Sequence, residues 1–273
     1  MSLVSVIITT KNEQDVIEKL ICSILKQTYP RNEIILVDNY STDRTIKIAK
    51  KLGIKTYLYG PERSAQRNFG AKKSHGKYLM FLDADMELSP HVIEECVEVV
   101  QTGKEYGGIV IPEESIADTF LGQVKAFERS FYNLEADTIT EAARFFTREA
   151  YLKVGGFDET ITGPEDWDFP EAVQKAGFKI GRIKSVICHH ERISSVFDLV
   201  RKKYYYALKS SRYLKKNKIP VISPKTVYFL RPVFYKNWKK IIFHPLLSLS
   251  MICMLTLEQI GGGIGYIRGR TNG

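Results

Sequence analysis

Residues 77–85 read KYLMFLDAD. An apolar run from Tyr78 to Leu82 ends on two acids separated by one small residue. A run of that length and composition suits a strand buried on both faces of a parallel sheet, which puts Asp83 and Asp85 at its carboxyl end. The same design recurs upstream. VSVIIT (4–9) and EIILV (33–37) are short β-branched strands and residues 54–59 make a third, with helices expected over 15–27, 43–52 and 64–74. Ser41 or Thr42 is placed to cap the second helix. This β-α repetition predicts an α/β fold whose parallel sheet is covered by helices.

Composition is consistent with that. The chain has 273 residues, 44% hydrophobic and 26% charged, which disfavours disordered, collagen-like and multi-span membrane classes. Its net charge of +9 is unevenly spread. Residues 1–198 carry 25 Lys+Arg against 30 Asp+Glu, a net of −5, whereas residues 199–273 carry 15 against one, Glu258, a net of +14. The imbalance implies two parts with different partners. Cys22, Cys96, Cys188 and Cys253 are far apart with no CxxC pair, and read as reduced thiols. The opening MSLVSVIITT lacks a basic leader and a cleavage site and reads as a strand, so a cytoplasmic catalytic part is expected.

In open α/β sheets ligands bind beyond the carboxyl ends of the strands. The residues there are Thr10, Asn12 and Glu13, then Asp38 and Asn39, then Asp83 and Asp85. Packing does not require carboxylates and amides at three successive strand ends. A turn after Leu82 could aim both acids at one Mg2+ or Mn2+, which bind through one or two carboxylates plus substrate phosphates; a solvated turn is the alternative. GPEDWDF (163–169) supplies three more acids, which either complement a helix N-terminus or provide a general base. His189 and His190 follow the apolar run 180–188, which reads as a strand end. There an imidazole could complete a metal site or simply sit at a core edge.

The motifs VSVIITTKNE, EIILVDNYSTDRT, RNFGAKKSHGKYLMFLDAD, RFFTREAYLKVGGFDE and GPEDWDF, in this order, resemble glycosyltransferase family 2, the inverting enzymes of GT-A fold. The resemblance covers about residues 3–195. It implies a GT-A (nucleotide-diphospho-sugar transferase) three-layer α/β/α sandwich with a C-terminal helical extension, and a metal-dependent transfer from a nucleoside-diphosphate sugar to an acceptor hydroxyl or phosphate. Carried over residue by residue, Thr10, Asn12, Glu13 and Asp38 meet the base and ribose, and Arg67 lies near the diphosphate. Asp83 and Asp85 form the metal–diphosphate motif with His189 near the metal, Asp166 is the catalytic base, and Glu165 stands beside it in the donor site. The cofactor implied is Mn2+ or Mg2+. Two departures are Thr9, where many members have proline, and Asn39, where many have a second aspartate. The donor-binding part is expected over 1–110, the acceptor and catalytic part over 111–198, and sugar selection within the loop 112–143.

The segment 199–218, LVRKKYYYALKSSRYLKKNK, mixes basic residues and tyrosines at helical spacing, which suits nucleic acid or an anionic membrane. The residues downstream of it favour the membrane. Residues 241–257 have 12 apolar residues in 17, flanked by Lys236, Lys239 and Lys240 and by Arg268 and Arg270. His244-Pro245 lies within the segment and Glu258 and Gly261-Gly262-Gly263 follow it, which makes it marginal for spanning, so one or two interfacial or re-entrant helices are favoured over a span. Packing on the catalytic part or in a dimer is the alternative. The expected partners are therefore a nucleotide-sugar, a saccharide or lipid-linked acceptor and a membrane surface, with no nucleic acid, and a peripheral site on the cytoplasmic face. Two other classes compete. A sugar nucleotidyltransferase usually has a Gly-rich loop after the first strand, whereas TTKNEQD has no glycine; a non-catalytic membrane or nucleic-acid adaptor leaves the strand-end acids unexplained.

Overall fold

A computed structural model describes residues 1–103, 105–133 and 141–271, so residues 134–140 of the loop expected to select the sugar lie outside the described ones. The chain forms two compact units: residues 1–113, 142–159 and 165–189 make the first, and 114–141, 160–164 and 190–273 the second. The second unit therefore gathers more than the basic segment 199–273.

In chain order the first unit opens with β1 (Val4–Thr10), α1 (Ile17–Leu25), β2 (Asn32–Asp38), α2 (Thr45–Lys51), β3 (Lys55–Leu58), α3 (Arg63–Lys73) and β4 (Tyr78–Asp83). Next come β5 (Met86–Leu88), α4 (Val92–Thr102) and β6 (Tyr106–Val110), then β7 (Glu113–Ile116) and α5 (Phe120–Arg129). The chain continues through β8 (Ala143–Thr147), α6 (Arg148–Val154), α7 (Glu165–Lys175), β9 (Lys179–Arg182) and β10 (Ile187–His190). It ends in α8 (Val196–Lys216), α9 (Pro232–Lys236), α10 (Trp238–Phe243) and α11 (Pro245–Thr271).

Seven strands make one sheet in the order β3-β2-β1-β4-β8-β6-β9. β1, β2, β3 and β4 are parallel, as their β-α connections dictate. The sheet is nonetheless mixed, because β8 runs antiparallel to both β4 and β6. β8 arrives after a long excursion and not by a single crossover helix, so nothing constrains it to be parallel. Alternation along β1 divides the core: Val4, Val6 and Ile8 face α1 and α4 side chains such as Leu20, Ile24 and Ile93, whereas Ile7 faces Ala71, Phe81, Tyr151 and Phe169. Helices cover both faces, giving three layers.

One expectation needs correction, and two further details were not read from the sequence. Neither Ser41 nor Thr42 caps α2; the backbone N–H of Thr45 instead donates to Asp43 Oδ1 at 2.9 Å, as an Asx turn does. The apolar run 180–188 is two strands, β9 and β10, separated by a turn. Gly261-Gly262-Gly263 do not end the last helix, since α11 passes through them to Thr271.

Within the second unit, Val124, Phe127 and Phe131 from α5 and its end pack with Phe234, Met251, Met254 and Leu255. Lys125 is buried in the same unit between Glu128 (3.0 Å) and Glu258 (3.1 Å), and the Tyr228 hydroxyl donates to Glu258 Oε2 at 2.9 Å. Burial pushes the Glu258 carboxyl up, but Lys125 and Lys203 outweigh this and bring it down to about 2. A helix carrying a buried charge at its middle is held to its partners by more than apolar area.

Candidate active site

The end of β4 puts Asp83 among three guanidinium groups. Arg67 Nη2 donates to its Oδ1 at 3.2 Å, while Arg144 Nη1 lies 3.4 Å and Arg63 Nη1 3.8 Å from its Oδ2. The Thr9 hydroxyl stands 3.5 Å from Oδ1. Burial pushes the Asp83 carboxyl up, and Arg67, Arg144 and Arg63 more than offset it, holding it far below the usual carboxylate range. Arg63 and Arg67 are four residues apart on α3 and so share one face of the helix. Arg67 is 1% exposed, with its guanidinium carbon 5.1 Å from the centre of the Phe157 ring.

Arg67 also reaches the start of α7, where its Nη1 donates to Asp166 Oδ1 at 2.5 Å. It thereby joins two acids 83 positions apart in sequence. Burial raises the Asp166 carboxyl, Arg67 and then Arg144 lower it by more, and it stays ionised below its ordinary range. Its neighbour Glu165 is buried and lies 2.7 Å from Arg63 Nη2, whereas the Asp166 side chain is 24% exposed. The Glu165-Asp166 pair thus has one buried member and one that reaches solvent. Both acids and Asp168 occupy the first turn of α7, where the helix dipole favours negative charge. The chain enters that turn through Gly163 at φ +100°, a conformation that side-chain-bearing residues rarely adopt.

Asp85 sits just beyond β4. Its Oδ1 is buried, accepts no hydrogen bond and is 3.5 Å from His189 Nε2. His189 is brought there because β10 pairs antiparallel with β5, placing it opposite Met86. Among the described residues no three metal-ligating side chains are gathered in one cluster. A carboxylate oxygen without a donor beside an imidazole nitrogen is nevertheless a donor pair that Mn2+ could accept, and for Mg2+ the carboxylate is the fitting member; both ions take other ligands from water and phosphate. Asp83, also expected at the metal, is paired with the three arginines.

The ends of β1 and β2 form a second group. Asp38 is wholly buried and accepts from the Thr10 hydroxyl, the Ser41 hydroxyl and the Ser41 backbone N–H, each at 2.6 Å. Asp38 and Thr10 therefore hold the strand-end turns from beneath. Asn12 lies on the exposed side at φ +56°, accepting from Thr42 N–H at 2.9 Å, and the Glu13 N–H donates to Thr45 Oγ1 at 2.7 Å. Asn39 uses its amide as a tie, donating to the Pro61 carbonyl at 2.7 Å. Gln66, unforeseen in the sequence, fastens both strands by donating to the carbonyls of Val37 (2.7 Å) and Thr10 (3.1 Å).

Sequence reading also passed over Arg63, Arg144 and Glu113. Arg144 is buried on β8 and donates through Nε to Glu113 Oε1 at 2.6 Å. Signals for two of them were present: a lone arginine inside the apolar strand ARFFT, and an acid just past the strand end of YGGIV. The cluster sets the cations Arg63, Arg67 and Arg144 against the anions Asp83, Asp85, Glu113, Glu165 and Asp166, an anionic excess of two.

The family model described as Glycosyl transferase family 2 matches residues 5–153. Among characterised relatives, the poly(ribitol-phosphate) beta-N-acetylglucosaminyltransferase TarS of Staphylococcus aureus strain Mu50 is 25% identical over 225 residues, covering 75% of this chain. The match covers 35% of TarS, so the chain spans about a third of that relative's length. Glycosyltransferase AglE of Haloferax volcanii is 27% identical over 212 residues, covering 70% of this chain and 68% of AglE. The mannosyltransferase PcManGT from Pyrobaculum calidifontis, solved with GDP-Man and Mn2+, superposes with a TM-score of 0.64 at 15% identity over 99% of this chain and 88% of that one. TarS residues 1–349 with UDP-GlcNAc give 0.57 at 17% identity, over 98% and 92%. The α/β architecture with its helical C-terminal extension is that of the GT-A glycosyltransferases. Since the family model spans more than half of the residues, the chain belongs to glycosyl transferase family 2.

Proposed function

We propose that this protein is a metal-dependent inverting glycosyltransferase that moves a sugar from a nucleoside-diphosphate sugar to an acceptor hydroxyl or phosphate. The observation that carries the reading is the Arg67 bridge between Asp83 and Asp166, which ties a strand-end acid to a carboxylate suited to serve as base. Asn12 and Glu13 line the nucleotide edge, supported from below by Thr10 and Asp38. Asp85 and His189 are the residues that would hold Mn2+ or Mg2+. When bound there, the ion supplies positive charge to the departing diphosphate.

In the reaction the acceptor O–H gives its proton to an Asp166 oxygen as the acceptor oxygen attacks the anomeric carbon from the face opposite the leaving group. The bond from that carbon to the diphosphate breaks, its electron pair goes to the phosphate oxygen, and the configuration inverts. A carboxylate held low by Arg67 is a weak base. The incoming diphosphate competes for the same guanidinium, so donor binding frees Asp166 at the moment it is needed. The partly exposed position of Asp166 and the buried pairing of Glu165 with Arg63 favour Asp166 as the base. The acceptor is lipid-linked in this reading and the protein peripheral on the cytoplasmic face, motivated by the basic, apolar C-terminal segment.

The test is nucleoside-diphosphate release from a panel of sugar donors with and without Mn2+. Asp166→Asn is expected to cut transfer by about 10²–10⁴-fold while leaving donor affinity near wild type. Transfer by Asp166→Asn at the wild-type rate would assign the base elsewhere.

A further inference from the structure

The outer side of α11 is apolar and uncovered within its unit. Leu249, Ile252, Leu257, Ile260, Ile264 and Ile267 are each 44–66% exposed, and at 100° per residue they lie on one side of the helix. No charged residue interrupts that side before Arg268. The one hydroxyl on it, Thr256, donates to the Ile252 carbonyl at 2.8 Å and is satisfied within the helix. The opposite side is occupied: Met251, Met254 and Leu255 enter the core with α5, and Gly261, Gly265 and Gly269 lie against Val200, Tyr204 and Leu208 of α8.

By length and hydropathy α11 could cross a membrane, with 27 residues and a mean hydropathy of 1.4 in its apolar window. Its partners forbid it. Crossing would draw the Lys125–Glu258 pair and α8, with Arg201, Lys202 and Lys203, into hydrocarbon, which strongly disfavours charged side chains. Lying in the plane of the surface costs none of this. Lys236 and Lys239 are exposed ahead of the apolar side and Arg268 and Arg270 at its end, with Trp238 and Tyr235 exposed beside the first pair. Tryptophan and tyrosine favour the headgroup level. A second copy of the chain fits poorly, because both ends of the stripe are basic: parallel or antiparallel pairing alike sets cation against cation. An anionic lipid surface meets both the apolar side and the charges.

We propose that the C-terminal unit docks on an anionic bilayer by laying the outer side of α11 flat at the boundary between headgroups and acyl chains, without spanning it. This rests on the peripheral membrane contact of the proposed function and adds its orientation and lipid class. It is independent of the transfer chemistry.

The test uses the full chain with phosphatidylcholine vesicles with or without 30% phosphatidylglycerol, and Ile260→Ser/Ile264→Ser and Lys236→Gln/Lys239→Gln variants. Cys22→Ser/Cys188→Ser leaves Cys253, exposed on α11, for a depth-reporting fluorophore. Expected are flotation with the anionic vesicles only, about tenfold or greater loss for the isoleucine variant, and about fivefold loss per lysine removed. Brominated lipids should place the label at about 5–10 Å depth, and alkaline carbonate should release the protein. A label near the bilayer centre with carbonate resistance would mean spanning and overturn the proposal. So would a monomer that ignores vesicles, or a dimer that the isoleucine variant dissociates. Nucleoside-diphosphate release by the isoleucine variant should match wild type; absence of release from every donor by the wild-type chain would sink the transferase reading whatever the vesicles show.

Discussion

Arg67 is the residue on which the proposed chemistry turns. Its planar fork serves Asp83 with one nitrogen and Asp166 with the other, an arrangement that a lysine ammonium cannot reproduce from the same position. Arg67→Lys keeps the buried charge but not the two-pronged geometry. A single ammonium cannot meet Asp83 and Asp166 together, so the pairing of Asp166 weakens and its carboxyl rises toward the ordinary range. The acid limb of the pH dependence of kcat/KM for the donor is expected to move to higher pH, with a fall in kcat/KM of about 10²–10³-fold. A pH profile of nucleoside-diphosphate release measures both. An unmoved acid limb would show that Arg67 does not govern the base. Removing the charge altogether, as in Arg67→Met, leaves two acids facing a buried gap and should cost about 3–5 kcal/mol of stability by denaturant titration.

Among the elements, α11 shows how packing overrides intrinsic preference. Three consecutive glycines in a helix cost about 1 kcal/mol each relative to alanine. The glycines differ in what surrounds them. A Cβ on Gly265 would collide with the Tyr204 carbonyl oxygen and one on Gly269 with that of Leu208, so these positions must be bare for α8 and α11 to approach. A Cβ on Gly262 meets nothing within 4 Å. One substitution should therefore have opposite effects at the two kinds of position. Gly262→Ala is expected to raise stability by about 0.5–1 kcal/mol, and Gly265→Ala to lower it by about 1–3 kcal/mol through separation of the helices. Urea midpoints of the two variants decide it, and equal effects would mean that the helices do not rely on the close approach.

At the level of the whole molecule, what could be read from the sequence was set by the range of the forces involved. β1, β2 and β4 were legible because burial on both faces leaves a local run of apolar residues, and their ends brought Thr10, Asp38 and Asp83 into view. The orientation of β8 was not legible, since periodicity carries no direction, and neither were the ties of Arg63 to Glu165 or of Arg144 to Asp83, which join residues distant in sequence. Those long-range pairs share a consequence that reaches both units. Asp83 and Asp166 in the first unit and Glu258 in the second all titrate below their ordinary values in the folded chain, because buried cations outweigh the burial that would raise them. A carboxyl whose folded pKa is depressed stabilises the native state above its unfolded pKa, and this is lost as pH falls through the folded value. Glu258, moved from 4.5 to about 2, contributes about 3 kcal/mol at neutral pH on this reckoning. Stability should therefore be flat above about pH 5 and fall steeply between about pH 4.5 and 2. Glu258→Gln should lower the plateau and flatten the part of that fall belonging to the second unit. Thermal unfolding followed from pH 7 to pH 2 for wild type and Glu258→Gln tests both claims. Parallel curves for the two proteins would mean that the Lys125–Glu258 pair does not set the acid limit of that unit.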